Sequence, residues 1–216
     1  AYKAVEPSPS EVKHLVSFVD NNDSLIAQQV VAHGGAATAP ANVPVIEGYT
    51  FTNTWDKDFD IVLSDLTVKA IYTTNSYTVR FFDYDNTQFG TDQTILYQAS
   101  ASAPDSPERV GYIFAGWDDS TYVSVTKNLD VHAVYVPKKY WIVFRDYDGS
   151  DVTPPDSIQY GAVVPQPIDL SRASTEEYTY EFKGWNPEVV KVNGDAVYTA
   201  VYDSTKRVYA VNFVDY

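Results

Sequence analysis

Aspartates at alternate positions are the residues of this sequence best suited to chemistry, as metal ligands. Asp83 with Asp85, and Asp146 with Asp148, place carboxylates two residues apart in short polar segments, as at the start of a calcium-binding EF-hand loop. No glutamate stands at the twelfth position from Asp83 or Asp146 to complete such a loop. We therefore expect solvated turns, and no metal-ligating residue is predicted.

The histidines are the natural candidates for acid–base chemistry. His14, His33 and His132 fall at different points of the repeat that runs through the chain, so their spacing predicts no shared site. No serine nucleophile elbow, paired metal-binding histidines or glycine-rich phosphate loop occurs. We predict that the protein is not an enzyme and has no catalytic or cofactor-binding residues and no cofactor. The residues that would bind a partner are left open.

The composition narrows the possible partners. The 216 residues carry a formal net charge of −14, which repels phosphate backbones and argues against nucleic acid. One acidic run, Asp56-x-Asp58-x-Asp60, is expected to form the solvent-facing edge of a strand, where charge discourages edge pairing.

The absence of cysteine excludes disulfides and thiolate zinc sites. No apolar run reaches membrane-spanning length and no signal peptide is recognised, so we expect no membrane insertion of this segment.

The elements that would position these residues recur along the chain. A strand-like segment ending in Phe-x-Asp occurs at Phe18, at Phe81 and, with the same spacing, at Phe144. It begins again at Phe213 with Asp215, which suggests that the chain is a fragment of a longer protein. Tandem copies of one small unit are typical of modular repeat proteins rather than of a catalytic centre.

Each copy follows one plan of short strands. The first strand alternates, with Tyr77, Val79 and Phe81 on one face, and period-two alternation predicts a half-buried strand. An Asp/Asn/Gly turn, a second strand, a proline-bearing connection, an aromatic motif and a closing strand with Ala-x-Tyr follow. No sustained 3.6-residue period occurs, so the fold class is mainly β, with at most a short helical turn after the proline.

The repeat divides the chain into successive segments. We predict an N-terminal extension (residues 1–13), three modules (residues 14–74, 75–137 and 138–204) and the first strand of a truncated fourth module (residues 205–216). The connection after Pro167 is longer than in the second copy, and its surplus around Asp169 to Tyr178 is expected to be a surface excursion. Only four residues separate Tyr72 from Tyr77, so neighbouring modules must nearly touch.

The tryptophans allow two interpretations. Trp55, Trp117 and Trp185 recur between a phenylalanine and a small-residue strand, which favours core anchors over sugar-stacking platforms. Trp141 has no counterpart in the other copies and lies on the opposite strand face from Tyr140. An exposed or inter-module position and burial under a local loop remain open for Trp141.

With these residues in place, the chain resembles the Listeria–Bacteroides repeat family, also known as the B-repeat of internalin B. The segments that carry the resemblance are Tyr77–Phe81, Tyr160–Gly161, Gly111–Trp117 and Phe182–Trp185. The first copy departs from the pattern, because Thr54 replaces the glycine before the tryptophan. An extra residue before Trp55 also predicts a bulge there.

The resemblance implies a tandem array of small β-grasp-like modules, each a twisted sheet of about four strands with little helix. Such repeats occur in secreted and wall-attached bacterial proteins, and the family has no catalytic residues to carry over. The expected function is a non-enzymatic spacer or stalk segment at the bacterial cell surface or in the cell wall, with other domains of the same parent protein as partners. Two alternatives stay open: adhesin-type repeats that bind host protein or glycan directly, and an accessory region of a larger secreted enzyme.

Overall fold

The computed structural model describes residues 12–168 and 170–214 and is built almost entirely from strands. Most of the expected N-terminal extension, and Asp215 of the expected fourth copy, lie outside the described residues. Twelve strands and one four-residue 3-10 helix, Ser120–Val123, account for the regular structure of the described part. None of its helices is long and apolar enough to cross a membrane.

The strands form three four-stranded sheets in tandem. The first sheet contains β1 (Lys13–Val19), β2 (Leu25–Ala32), β3 (Tyr49–Trp55) and β4 (Leu66–Thr74). The second contains β5 (Ser76–Phe82), β6 (Gln88–Leu96), β7 (Tyr112–Trp117) and β8 (Leu129–Pro137). The third contains β9 (Lys139–Arg145), β10 (Asp156–Gln159), β11 (Tyr178–Asn186) and β12 (Ala196–Lys206). We call each sheet with its connecting loops a module.

All three sheets share one mixed topology. In the first sheet the strand order is β2-β1-β4-β3, and the other two repeat it as β6-β5-β8-β7 and β10-β9-β12-β11. The two central strands are parallel in every sheet, whereas both outer strands pair antiparallel with their neighbours. A parallel pair needs a long crossover connection, and here that connection contains both outer strands. The expected four-stranded β module is confirmed.

The chain divides into two compact units that do not coincide with the modules. One comprises Ala1–Pro104 and Asp118–His132, and the other comprises Asp105–Trp117 and Ala133–Tyr216. The first sheet belongs wholly to the first unit and the third sheet wholly to the second. The strands of the second sheet are shared between the units, with β8 contributing residues to both.

One face of each sheet is covered by loops that complete a small core. In the first module Val16, Phe18 and Val68 are fully buried beneath Val62, a residue of the loop after β3. The Val62 N–H donates to the Gly35 carbonyl at 2.9 Å, and the Val62 carbonyl accepts from the Gly34 N–H at 2.8 Å. These two bonds hold an irregular loop against the sheet while satisfying its buried backbone groups.

The same loop anchor recurs in the other two modules. Val125 and Val192 are buried, and both exchange backbone hydrogen bonds with the turn that follows the second strand. In the third module Val192 packs with Ile142, Phe144 and Tyr198. Sequence spacing alone does not reveal this valine, because it lies in an irregular loop without a period.

Three local expectations meet different outcomes. The bulge before Trp55 is confirmed by a two-residue shift in the β3–β4 register, and one-residue shifts occur before Trp117 and Trp185 in the other modules. The expected acidic strand edge is wrong, because Asp56, Asp58 and Asp60 lie in the loop after β3. The only helical turn of the described residues follows Trp117 rather than the proline, since Asp119 caps it by accepting a hydrogen bond from the Thr121 N–H.

Candidate functional site

The three recurring tryptophans pack at the margin of the cores. Trp55 meets the Phe18 ring edge-on with 4.9 Å between ring centroids, and Trp185 meets Phe144 at 4.5 Å. Trp55 is paired across the sheet with Ala70, which is 2% exposed, as are Trp117 with Ala133 and Trp185 with Ala200. The small alanine leaves room for the indole, as expected. All three tryptophans are half-buried rather than fully enclosed.

The acidic turns use their carboxylates internally. Asp20 accepts hydrogen bonds from the backbone N–H groups of Asn22 at 2.8 Å and Ser24 at 2.9 Å. Asp148 accepts from both the hydroxyl and the N–H of Ser150, and these bonds lower the pKa of its carboxyl. Such side-chain bonds define local turns. Among the described residues there is no group of three or more metal-ligating side chains.

One of these turn aspartates also binds the closing strand. The Tyr202 hydroxyl donates to Asp146 at 2.9 Å. Burial, followed by this bond, raises the pKa of Tyr202 to about 12. In the first module burial and the nearby Asp20 charge likewise raise the pKa of Tyr72. The Phe-x-Asp and Ala-x-Tyr motifs are thus linked in space, and their joint recurrence was the sequence signal that could have shown it.

The longer connection of the third module is anchored rather than free. The Arg172 guanidinium lies over the rings of Tyr147 and Tyr180, 3.8 Å from each centroid, an arrangement that attracts a cation to the ring faces. The end of the connection joins β11 at Tyr178. The expected surface excursion is confirmed for residues 173–177, which are exposed, although Arg172 anchors the segment; Asp169 lies outside the described residues.

Two of the three histidines come together, which their spacing did not predict. His14 Nε2 and His33 Nδ1 are 2.9 Å apart, and the Asp65 carboxylate is 3.9 Å from His14 Nδ1. His14 and His33 occupy the places that Tyr77 and Tyr97 hold in the second module. The pair therefore substitutes for two tyrosines of the repeat.

Trp141 is exposed. Its side chain is 58% accessible, and its backbone N–H donates to the Asp195 carboxylate at 2.8 Å. The exposed position, one of the two that the sequence left open, is the one adopted. Trp141 also faces the side of the sheet opposite to its buried neighbour Ile142.

The most elaborate repeated site lies where one module passes into the next. Asn75 is the single residue between β4 and β5. Its N–H donates to the Gly48 carbonyl at 2.8 Å, and its own carbonyl accepts from the Tyr97 N–H at 2.8 Å. We call this pair of bonds the junction relay. It joins the start of β3 to the end of β6 through one linker residue, so the linker is shorter than the four residues expected.

Packing reinforces the first junction relay. Gly48 is buried with φ +79°, and a Cβ built there would lie 2.1 Å from the ring of Tyr97. Tyr49 meets the same ring edge-on, with 6.1 Å between ring centroids. Burial, with a smaller contribution from the Glu47 charge, raises the pKa of Tyr97. The close approach of a tyrosine to the backbone explains why glycine stands at this position.

The second junction repeats this arrangement. The Lys138 N–H donates to the Gly111 carbonyl and the Lys138 carbonyl accepts from the Tyr160 N–H, both at 2.8 Å. A Cβ on Gly111, whose φ is +78°, would lie 2.3 Å from the Tyr160 ring. Tyr112 meets that ring edge-on at 5.6 Å, and the Arg109 guanidinium covers Tyr112 at 3.9 Å.

The end of the third module retains half of the relay in a shifted form. The Arg207 N–H donates to the Glu177 carbonyl at 2.8 Å. β11 and β12 continue two residue pairs further than their counterparts, to Tyr178 and Lys206. These extra pairs account for the two residues by which the Tyr202–Tyr209 spacing exceeds the Tyr72–Tyr77 spacing. Thr179, rather than glycine, occupies the place of Gly48 and Gly111.

Comparisons with known proteins find the same repeats elsewhere. The chain is 38% identical over 87 residues to internalin H of Listeria monocytogenes, a match that covers 36% of this chain and 15% of internalin H. It is 25% identical over 188 residues to a protein of Evansella cellulosilytica named as a Gly-rich membrane protein, covering 79% of this chain and 21% of that protein. The chain therefore spans about a fifth or less of the length of these curated relatives.

One solved structure and one family complete the comparison. Streptococcal High Identity Repeats in Tandem (SHIRT) domains 3-4, from a cell surface protein, are similar over 62% of this chain and 100% of that chain, with 17% identity and a TM-score of 0.30. The sequence pattern of the Listeria-Bacteroides repeat domain matches residues 14–75 and 77–135. These two matches cover more than half of the chain. The protein belongs to the Listeria-Bacteroides repeat family and is a tandem-repeat segment of the kind found in surface proteins.

Proposed function

We propose that this chain is a non-enzymatic spacer or stalk segment of a secreted or cell-surface bacterial protein. It would present or space other domains of the same parent protein outside the cell. Its working units would be the modules of residues 14–74, 75–137 and 138–204, with residues 205–216 starting a fourth. The chain's kinship with surface-protein repeats supports this role.

The observation that carries the proposal is the repeated junction relay. A flexible linker would let neighbouring modules move independently. It would also let the modules fold back toward each other at little cost in entropy. Here Asn75 and Lys138 each bind both neighbouring modules through backbone hydrogen bonds. A glycine–tyrosine contact accompanies each relay. A restricted linker helps to keep the two ends of the segment at a constant distance from each other, which a spacer requires.

Small-angle scattering tests the spacer role. A compact globule of 216 residues has a radius of gyration of roughly 17 Å. We expect a value well above this for the wild-type chain. A variant with a four-residue Gly-Ser insertion after both Asn75 and Lys138 should show a broader distribution of distances. A wild-type radius of gyration near the compact figure would contradict the proposal. So would a distribution of distances that the insertions leave unchanged.

Direct binding by the repeats is a second candidate function, favoured by one observation. Trp141 is 58% exposed on the uncovered face of the third sheet, and exposed tryptophans supply stacking area to partners. A screen against immobilised glycans and host extracellular proteins, run with the wild type and Trp141→Ala, examines it. Binding that Trp141→Ala removes would support an adhesin role. If neither the wild type nor Trp141→Ala binds any immobilised partner, only the spacer role remains supported.

A further inference from the structure

A side-chain clip closes the sheet edge of the first two modules. In the second module the Gln93 amide nitrogen donates to the Ser102 carbonyl at 2.8 Å, and its amide oxygen accepts from the Ser102 N–H at 2.9 Å. In the first module Gln29 makes the same pair of bonds to Thr38. We call this the glutamine clip. The glutamine clip ties the second strand of the module to the proline-bearing connection. It satisfies the backbone N–H and carbonyl of a residue outside the sheet.

The third module cannot form the glutamine clip. Asp156 stands where the clip has Gln93, since both pair with a buried residue of the first strand, Ile142 and Val79 respectively. Pro165 stands where the clip has Ser102, because each lies two residues before the repeated proline. A carboxylate has no N–H to donate and proline has no backbone N–H. Both bonds of the clip are therefore lost.

An open groove lies where the clip is missing. It has a volume of about 450 Å³ and runs between β10 and the proline-bearing connection, within the roughly 300–1,000 Å³ typical of ligand sites. The buried side chains of Ile142 and Phe144 form part of its lining. We call it the β10 groove. Its lining also includes Pro154, Pro155, Asp156, Ile158, Pro165 and Pro167.

We propose that the β10 groove binds an extended polypeptide segment that carries an apolar side chain beside a basic one. The site goes beyond the spacer role and holds whether or not the chain acts as a spacer. The apolar side chain would enter against Ile142 and Phe144, and the basic side chain would reach the Asp156 carboxylate. The strand that borders the groove, β10, is the outer strand of its sheet, the position where extended segments dock.

The polar character of the groove selects a cation. The prolines of its walls lack N–H groups, and Thr153 and Gln166 add only neutral donors. Asp156 is the one charged side chain among these lining residues. Asp156 accepts one local bond, from the Ser157 N–H at 2.7 Å, and takes part in none of the ion pairs among the described residues. Lys139 pairs with Gln159 at the far end of β10, about 10 Å along the strand from Asp156. The net charge of −14 adds a general attraction for basic partners.

Peptide titration of the isotope-labelled full chain, followed by NMR, tests the site. The probe is the acetylated, amidated peptide Thr-Phe-Thr-Arg-Thr, in which Phe and Arg share one face of an extended chain. We expect saturable shifts at Ile142 and Ile158 at peptide concentrations up to about 1 mM. Probes with Phe replaced by Ala, or Arg replaced by Glu, should bind about tenfold more weakly or not at all.

The matched variant installs the glutamine clip of the second module in the third. Asp156→Gln with Pro165→Ser should close the groove and abolish the shifts, while an unchanged or higher Tm shows that the module still folds. Asp156→Asn alone should weaken binding of the Arg-containing probe about tenfold, but it should leave unaffected the binding of a further probe in which Ala replaces Arg. The reciprocal change, Gln93→Asp with Ser102→Pro, should create peptide-induced shifts in the second module. Equal binding by the wild type and the clip variant, or no shift with any probe, would overturn the proposal.

Discussion

Gly111→Ala offers the sharpest test of the junction between modules. Gly111 has φ +78°, and an L-residue in the left-handed region costs about 1–2 kcal/mol. The new Cβ would also lie 2.3 Å from the Tyr160 ring, and overpacking of this kind costs about 1–3 kcal/mol. Because alanine has less conformational freedom than glycine in the unfolded chain, the substitution also stabilises the folded state by about 0.4–1 kcal/mol. We expect a net destabilisation of about 2–3 kcal/mol.

Gly161→Ala is the matched control. Gly161 has the same φ, +78°, yet a Cβ there meets nothing within 4 Å. Only the backbone cost remains, so we expect a loss of about 1 kcal/mol. The difference between the two variants isolates the contact with Tyr160. Adding Tyr160→Ala to Gly111→Ala removes the obstacle, and the double-mutant cycle should show a coupling of about 1–2 kcal/mol.

Native-state hydrogen exchange is the assay, because it reports the opening of individual amides. The amides of Lys138 and Tyr160 belong to the junction relay and should exchange faster in Gly111→Ala. The Val192 amide, bonded to Ala162 within the third module, should change less. The steric account of the junction is wrong if Gly111→Ala and Gly161→Ala cost the same, or if the cycle gives no coupling to Tyr160.

Three further predictions concern the third module. Trp185→Ala should cost about 2–4 kcal/mol in urea unfolding, as for a large aromatic that is only half-buried, whereas the exposed Trp141→Ala should stay within about 0.5 kcal/mol; equal costs would contradict the assigned burial. The raised pKa of Tyr202, about 12, means that its protonated form is favoured by folding. Its contribution to stability should be complete below pH of about 10 and lost as the pH rises through about 12. Phenolate absorbance should show late-titrating tyrosines, and Tyr202→Phe should remove the component near pH 12. Because Asp146 accepts the bond, Asp146→Asn should move this late titration to lower pH, and no movement would refute the pairing. Arg172→Ala should release the long connection at a cost of about 1 kcal/mol, seen as faster exchange of the Tyr178 amide, which unchanged exchange would contradict.

The sequence by itself determined the modular β architecture. Alternation along Tyr77, Val79 and Phe81 depends only on the two-residue period of a strand, which is a local property. Recurrence of the same alternation indicated three similar sheets. The alanine paired with each tryptophan was also visible, because both stand at fixed places in every copy. The fourth copy and the exact module bounds remain predictions.

Only the tertiary structure decided which distant side chains meet. The His14–His33 contact, the Tyr202–Asp146 bond and the junction relay at Lys138 each join residues whose distance depends on sheet order. No local period encodes strand pairing. His14 and His33 meet across the antiparallel β1–β2 pair, whereas Tyr202 meets Asp146 through the parallel β9–β12 pair, whose strands are separated by a long crossover. The β10 groove follows the same logic. The sequence shows that Asp156 replaces the glutamine of the other modules. The consequence depends on Pro165, which folding brings opposite Asp156.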